Sequence, residues 1–157
     1  MGKNFDRSLI TLVADYGPPP TTSYEPPATS YNCPLYSAQV LDHFEHPRNV
    51  GELTDATAVA QLENPACGDV MKLSLRIEEG RIVEVRYRTK GCVPAIACGS
   101  ALTEMIAGRT INEARGVRRI ELVLKLGGLP SASLHASHLA IDTLAAALNK
   151  LRIKKSE

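Results

Sequence analysis

Tryptophan is missing from this 157-residue chain, and two Phe and five Tyr are its only other large aromatic residues. A core must therefore be assembled from aliphatic side chains and Ala. Surplus positive charge is missing as well: 18 Lys and Arg stand against 17 Asp and Glu, a net charge of +1. Binding that works by neutralising phosphates needs a basic excess to release counterions, so no nucleic-acid partner is expected. No apolar run approaches the ~18 residues of a membrane-spanning helix, and no membrane partner is expected either. The opening MGKNFDRSLITLVADYGPPP lacks the features of a secretory leader, since it carries two acidic residues and its apolar stretch, Leu9 to Ala14, is short and interrupted by Thr11. It also lacks the Arg-rich, acid-poor character of a transit peptide. The expected location is cytoplasmic, where thiols are kept reduced. Cys33, Cys67, Cys92 and Cys98 are then core filler, metal ligands or nucleophiles rather than disulfide staples.

Six of the ten prolines fall within the first 35 residues, interleaved with Thr, Ser and Asn and without periodicity. Residues 1–35 read as a disordered, Pro/Thr/Ser-rich extension, and 36–157 as one folded domain. Ser37 can cap a short helix whose apolar residues are Val40, Leu41 and Phe44, with Pro47 just past its end. Ala56 to Leu62 is a strand candidate. Met71, Leu73, Leu75 and Ile77 alternate with polar residues, as do Val83, Val85 and Tyr87, and Glu78-Glu79-Gly80 joins the two strands as a hairpin loop. Matching apolar faces puts odd residues opposite odd residues, for example Ile77 opposite Val83.

Beyond the hairpin the period becomes helical. Ile96 to Ala107 presents Cys98, Ala101, Leu102, Met105 and Ile106 on one face and stops at Gly108. Short helical patterns follow at Ile111–Ala114 and Ile120–Leu126. A last helix runs from about His135 to Leu151, with Leu139, Ile141, Leu144, Ala145 and Leu148 as its apolar residues. The fold class is α+β, an antiparallel three-stranded sheet with helices packed on one face.

The hairpin register brings Ala66-Cys67-Gly68-Asp69 and Gly91-Cys92 to its open end. Two thiols and a carboxylate with glycines beside them look like part of a metal site. Two buried small cysteines that merely meet in the core would give the same spacing. Cys98 shares a face with Ala101, Leu102 and Met105 and reads as a core cysteine. Cys33 could fold back or reach a second subunit, so a homodimer stays open. His43 and His46 read as solvated or hydrogen-bonded, and His138 as a surface histidine.

At these residues the chain resembles a known family. Asn64-Pro65-Ala66-Cys67-Gly68-Asp69-Val70-Met71-Lys72-Leu73, Lys90-Gly91-Cys92, the upstream Tyr36-Ser37 with Val40 to Phe44 and Pro47 to Gly51, and the downstream Leu134-His135-Ala136-Ser137-His138 resemble the IscU / NifU N-terminal family of iron–sulfur cluster assembly scaffolds. The resemblance runs through essentially all of 36–157. It implies a non-enzymatic scaffold that builds a transient 2Fe-2S cluster from iron and sulfide and passes it to iron–sulfur acceptor proteins, with a cysteine desulfurase as sulfur donor. It implies Cys67, Asp69, Cys92 and His135 as the cluster-binding and metal-binding residues.

Two departures accompany it. The family's third cysteine is at residue 136, which here is Ala136, so one ligand and sulfur acceptor is replaced by a methyl group. The family's chaperone-binding Leu-Pro-Pro-Val-Lys is reduced to Leu129-Pro130-Ser131-Ala132-Ser133, which counts against an Hsp70-type chaperone as partner. The family's zinc-binding branch carries an insertion before the second cysteine, and none is present here. Two alternatives remain: a zinc-binding homologue, since two thiolates, an imidazole and a carboxylate suit tetrahedral zinc, and a metal-free homologue that binds and regulates the desulfurase.

Overall fold

A computed structural model describes residues 35–155, with side chains to Leu151. The extension expected over 1–35, with Cys33, lies outside the described residues except for Leu35. The elements follow in the order α1 (Ala38–Glu45), β1 (Ala58–Glu63), β2 (Val70–Glu78), β3 (Arg81–Lys90), α2 (Val93–Ile106), α3 (Ile111–Arg115), α4 (Arg119–Lys125), a 3-10 turn (Ser131–Ser133) and α5 (Leu134–Lys155). No helix among the described residues is long and apolar enough to cross a membrane.

The three strands form an antiparallel sheet in the order β1-β2-β3. Its register lines up Ala60–Leu73–Tyr87 and Ala58–Leu75–Val85 as two rows across the sheet, and all six side chains are buried. Against these rows lie α2, on β3, and α5, on β1 and β2. Ala58 and Ala60 are small, and so are Ala136, Ala140 and Ala147 among the buried residues of α5. Small residues on both surfaces let helix and strand backbones approach closely, in a core with little aromatic bulk. On the other face most of the alternate residues of β2 and β3 are charged. Lys72 and Arg88 both reach Glu52, at 2.8 and 2.9 Å, and Arg76 and Arg86 both reach Glu84 at 2.9 Å. The α+β architecture with helices on one face is the one expected.

The hairpin differs from expectation close to its turn. Glu79 and Gly80 form a two-residue turn with both φ values positive, 52° and 76°, the pattern of a type I′ hairpin. Such a turn pairs Glu78 with Arg81 and Ile77 with Ile82, not with Val83. The register shifts between Arg76 and Ile77, so Val83 is the extra residue of a β-bulge. Ile82 is fully buried while Val83 is 42% exposed. Past the bulge Leu75 faces Val85 and Leu73 faces Tyr87, odd with odd as expected.

The free edge of β3 is covered at both ends. Tyr87 N–H donates to the Asn49 carbonyl at 3.0 Å and Gly51 N–H to the Tyr87 carbonyl at 2.9 Å. Near the turn Ile82 N–H donates to Arg109 and Gly108 N–H to Ile82, both at 2.8 Å. Covered edges do not template further strand pairing.

Ser37 caps α1 as expected, its Oγ accepting from Val40 N–H at 3.0 Å. The buried residues of that helix are Val40 and His43, whereas Leu41 and Phe44 are half-buried. His43 is drawn inward because its Nδ1 hydrogen-bonds Ser100 Oγ at 2.8 Å. Burial first, and then the Arg48 guanidinium, hold its pKa below the ordinary 6.5. Helix α2 begins at Val93, three residues earlier than its periodicity predicts, because Pro94 is accommodated in a first turn whose N–H groups need no partner. It is buried nearly all round between the sheet and the other helices. A Cβ on Gly99 would lie 2.3 Å from Tyr87 Cε2, so this glycine makes room for the only aromatic ring of the sheet. Cys98 is fully buried, with its thiol pushed up to about 12 by burial, as a core cysteine should be. In α5 the inward face holds Ala136, Leu139, Ala140, Thr143, Leu144, Ala147 and Leu148. Ile141 and Ala145, expected among the apolar set, are half-buried and exposed. Three alanines and a threonine carry the seam in their place.

Candidate metal centre

Three chain segments meet at the open end of the hairpin. The first is the loop between β1 and β2, folded around Asn64. Gly68 N–H donates to the Asn64 carbonyl at 2.7 Å, Asn64 N–H to the Asp69 carbonyl at 2.8 Å, and Ala66 N–H to Asn64 Oδ1 at 2.9 Å. Gly68, at φ 76°, supplies the left-handed residue that this tight loop needs. The loop leaves Cys67 exposed and Asp69 buried, only 6% accessible. The second segment is Gly91-Cys92. Since Val70 pairs with Lys90, the next residues outward, Asp69 and Gly91, face each other. The third is the start of α5, where His135 follows the 3-10 turn.

Cys92 is half-buried immediately before α2, and its Sγ donates to Asp69 Oδ2 at 3.1 Å. Burial, then this hydrogen bond, push its thiol up to about 11, because both favour the neutral form. The group is a thiol near neutral pH and becomes a thiolate only when something takes its proton. His135 donates from Nδ1 to the Ala132 carbonyl at 3.0 Å. A carbonyl can only accept, so Nδ1 carries a proton, and in the neutral imidazole the lone pair is then on Nε2. That Nε2 is buried, has no hydrogen-bond partner among the described residues, and lies 3.9 Å from Asp69 Oδ2.

One ligand atom each from Cys67, Asp69 and His135 lies within 4.8 Å of the others. Around a tetrahedral ion with bonds of about 2.0–2.3 Å, ligand atoms sit about 3.3–3.8 Å apart, so modest side-chain rotation closes the set. Cys92 joins through Asp69. Three of the four side chains singled out in the sequence converge, and the fourth, Cys92, contacts one of them, Asp69; together they carry two sulfurs, one imidazole and one carboxylate. With two sulfurs and an imidazole beside the one hard oxygen, such a set suits iron or zinc more than magnesium or calcium.

The other sequence candidates go elsewhere. Ala136 is fully buried and adds no ligand atom, and Cys98 is in the core. His46 is on the surface beside Asp42, at 3.4 Å. His138 is exposed one turn beyond His135, lining an open groove of about 280 Å³ between α5 and the 62–65 segment that contains no third ligand in range. Two participants escape a reading of side-chain chemistry. Asn64 organises the loop, with the Asn-Pro dipeptide as its only sequence signal. The Ala132 carbonyl selects the imidazole tautomer, and no side chain announces it.

Comparison with known proteins shows the family. The family described as NifU-like N terminal domain matches residues 35–157. The chain is 44% identical over 114 residues to "Iron-sulfur cluster assembly scaffold protein IscU 1" of Archaeoglobus fulgidus, covering 73% of this chain and 74% of that protein. It is 42% identical over 127 residues to "Iron-sulfur cluster assembly enzyme IscU" of Drosophila melanogaster, covering 78% and 82%. The N-terminal part of a nitrogen-fixing NifU-like protein from Brucella abortus shares the fold with a TM-score of 0.63 at 20% identity, over 76% of this chain and 96% of that one. On the extent of the family match and these identities, the chain belongs to the family of NifU-like N terminal domains, with IscU scaffold proteins among its relatives.

Proposed function

We propose that this protein is a scaffold on which an iron–sulfur cluster is assembled and from which it is handed on, with Cys67, Asp69, Cys92 and His135 as the ligands. The observation that carries the reading is His135 Nε2, a ring nitrogen buried without a hydrogen-bond partner among the described residues and facing Asp69 within reach of Cys67. An unsatisfied buried acceptor costs about 1–3 kcal/mol, which a bound iron offsets. Relatives named as cluster assembly scaffolds support the same role.

The cluster is cargo, so no residue is catalytic. Four ligands divide between the two irons of a 2Fe-2S cluster, and imidazole is an accepted substitute for thiolate there. Cys67 is the exposed thiol, and iron and sulfide reach it first. Cys92 enters as a ligand only on losing its proton, which the Asp69 carboxylate at 3.1 Å relays to water and so stays ionised. Asp69 then contributes a hard oxygen to a soft cluster, a weak link that suits release to an acceptor protein. Ala136 offers no thiol, which leaves Cys67 to accept sulfur from a cysteine desulfurase. This reading belongs to a cytoplasmic protein with an extension, 1–35, ahead of the scaffold domain. It does not require a chaperone at Leu129-Pro130.

The missing thiol at 136 favours zinc as the second reading, because four donors complete a tetrahedral zinc site without a second metal. Anaerobic reconstitution with iron and sulfide separates the two. Visible charge-transfer absorption that disappears in Cys67→Ala and in Cys92→Ala is expected, and Ala136→Cys is expected to lengthen the cluster's lifetime. Stoichiometric zinc in the purified protein with no colour on reconstitution overturns the scaffold reading in favour of zinc. Absence of both metals leaves only a desulfurase-binding regulator.

A further inference from the structure

We propose that Gly91 is a positioning residue: the lack of a side chain there keeps the Asp69 carboxylate among the metal ligands, and so sets the hard-donor share of the site. The inference rests on the reading of Asp69 as a ligand.

Gly91 differs from the glycine that shares the site. Gly68 has φ 76° and open space where a Cβ would be, so its backbone conformation is what calls for glycine. Gly91 has no left-handed φ, and its residue is exposed, so neither conformation nor burial excludes a side chain. Yet a Cβ on Gly91 would lie 2.7 Å from Asp69 Cγ, 2.8 Å from Oδ1 and 3.0 Å from Cβ. Because Asp69 Cβ is itself among the three atoms, turning the carboxylate about its own bonds does not clear every contact. The Asp69 backbone is held on one side by Asn64 N–H, at 2.8 Å from the Asp69 carbonyl, and on the other by the pairing of Val70 with Lys90. A methyl group at 91 therefore moves the carboxyl group off Gly91. The contacts it leaves are Cys92 Sγ at 3.1 Å and His135 Nε2 at 3.9 Å. Asp69 is the only oxygen donor of the four, so its displacement leaves two sulfurs and an imidazole. That set retains soft ions such as Cd²⁺ better than borderline ones such as Co²⁺.

The test is an anaerobic titration of the full chain with Co²⁺ and with Cd²⁺, comparing wild type, Gly91→Ala, Asp69→Ala and the double variant. Gly91→Ala is expected to weaken Co²⁺ about 10- to 100-fold, the range for removing a group that orients a ligand. It is expected to show the ligand-field spectrum of Asp69→Ala and to weaken Cd²⁺ less. The double variant is expected to match Asp69→Ala, with no additional loss. Gly91→Ala with wild-type affinity and spectrum, while Asp69→Ala loses both, overturns the positioning role and leaves Asp69 a ligand. Asp69→Ala that binds Co²⁺ like wild type overturns the ligand reading and this inference with it. If Gly91→Ala fails to fold, Gly91→Ala combined with Asp69→Gly, which removes all three atoms that the methyl strikes, is expected to restore the fold. Failure to restore it also overturns the inference.

Discussion

The two ends of the β2–β3 hairpin obey different rules. At the turn, Glu79 and Gly80 are neighbours in sequence, both in the left-handed region, and a Cβ on Gly80 would meet nothing within 4 Å. The geometry is local, and a mismatch of one residue is absorbed by the bulge at Val83. At the open end, Asp69 fills the space above Gly91 and accepts from Cys92, while His135 comes from a segment that follows α2, α3 and α4 in the chain. There the Cys92 thiol and the Asp69 carboxyl group hold each other across two segments, so an error in one displaces the other. The hairpin is forgiving where it is exposed and exacting where it carries chemistry.

Substitutions at the open end sharpen this contrast most. Cys67→Ala and Cys92→Ala are expected to abolish the charge-transfer absorption of the reconstituted protein. Thermal unfolding of apo Cys67→Ala is expected to change little, since Cys67 is exposed. Midway along the hairpin the effect is one of packing. Leu73, fully buried between Ala60 and Tyr87, is expected to cost about 2–5 kcal/mol on replacement by Ala, read from urea unfolding. At the turn, Gly80→Ala imposes a positive φ on a residue with a Cβ and is expected to cost about 1 kcal/mol, with Co²⁺ binding unchanged. A turn substitution that weakened metal binding would break the comparison.

Smaller effects are read from pH. Alkylation of Cys92 is expected to rise with a midpoint near pH 11, and in Asp69→Ala with a lower midpoint. The folded pKa is raised above the ordinary 9, so this thiol's contribution to stability is complete below about pH 9 and is lost as pH rises through about 11. His43 has the opposite sign for its charge type. Its folded pKa is lowered, so its contribution is complete above pH 6.5 and is lost as pH falls below it. Urea midpoints measured from pH 7.5 downward are expected to decline less in His43→Gln than in wild type.

Much of this was legible in the chain because it depends on neighbours in sequence. The alternation of Met71, Leu73 and Leu75 announces a half-buried strand, Ser37 announces a cap, and Gly80 announces a turn. The cysteine-bearing loops follow from the strands, since a hairpin's open end is wherever its two arms stop pairing. Less legible was the start of α2, where Pro94 looks like a breaker unless the first turn is known to be helical. The inward turn of His43 depends on Ser100, which is 57 residues away. Ile82 and Val83 are equally apolar, and only the two-residue turn decides which of them faces the core.

The sequence by itself determined the α+β order of elements, the place of the two thiols and the carboxylate on adjoining loops, and the absence of a thiol at residue 136. These are matters of period, of turn chemistry and of residue identity, all of which are written one position at a time. Tertiary structure alone decided which imidazole nitrogen faces Asp69, that Cys92 is a hydrogen-bonded thiol, and that Gly91 is where a methyl group would strike the carboxylate. Each of those is a distance between segments far apart in the chain, and it exists only after the sheet and α5 have packed.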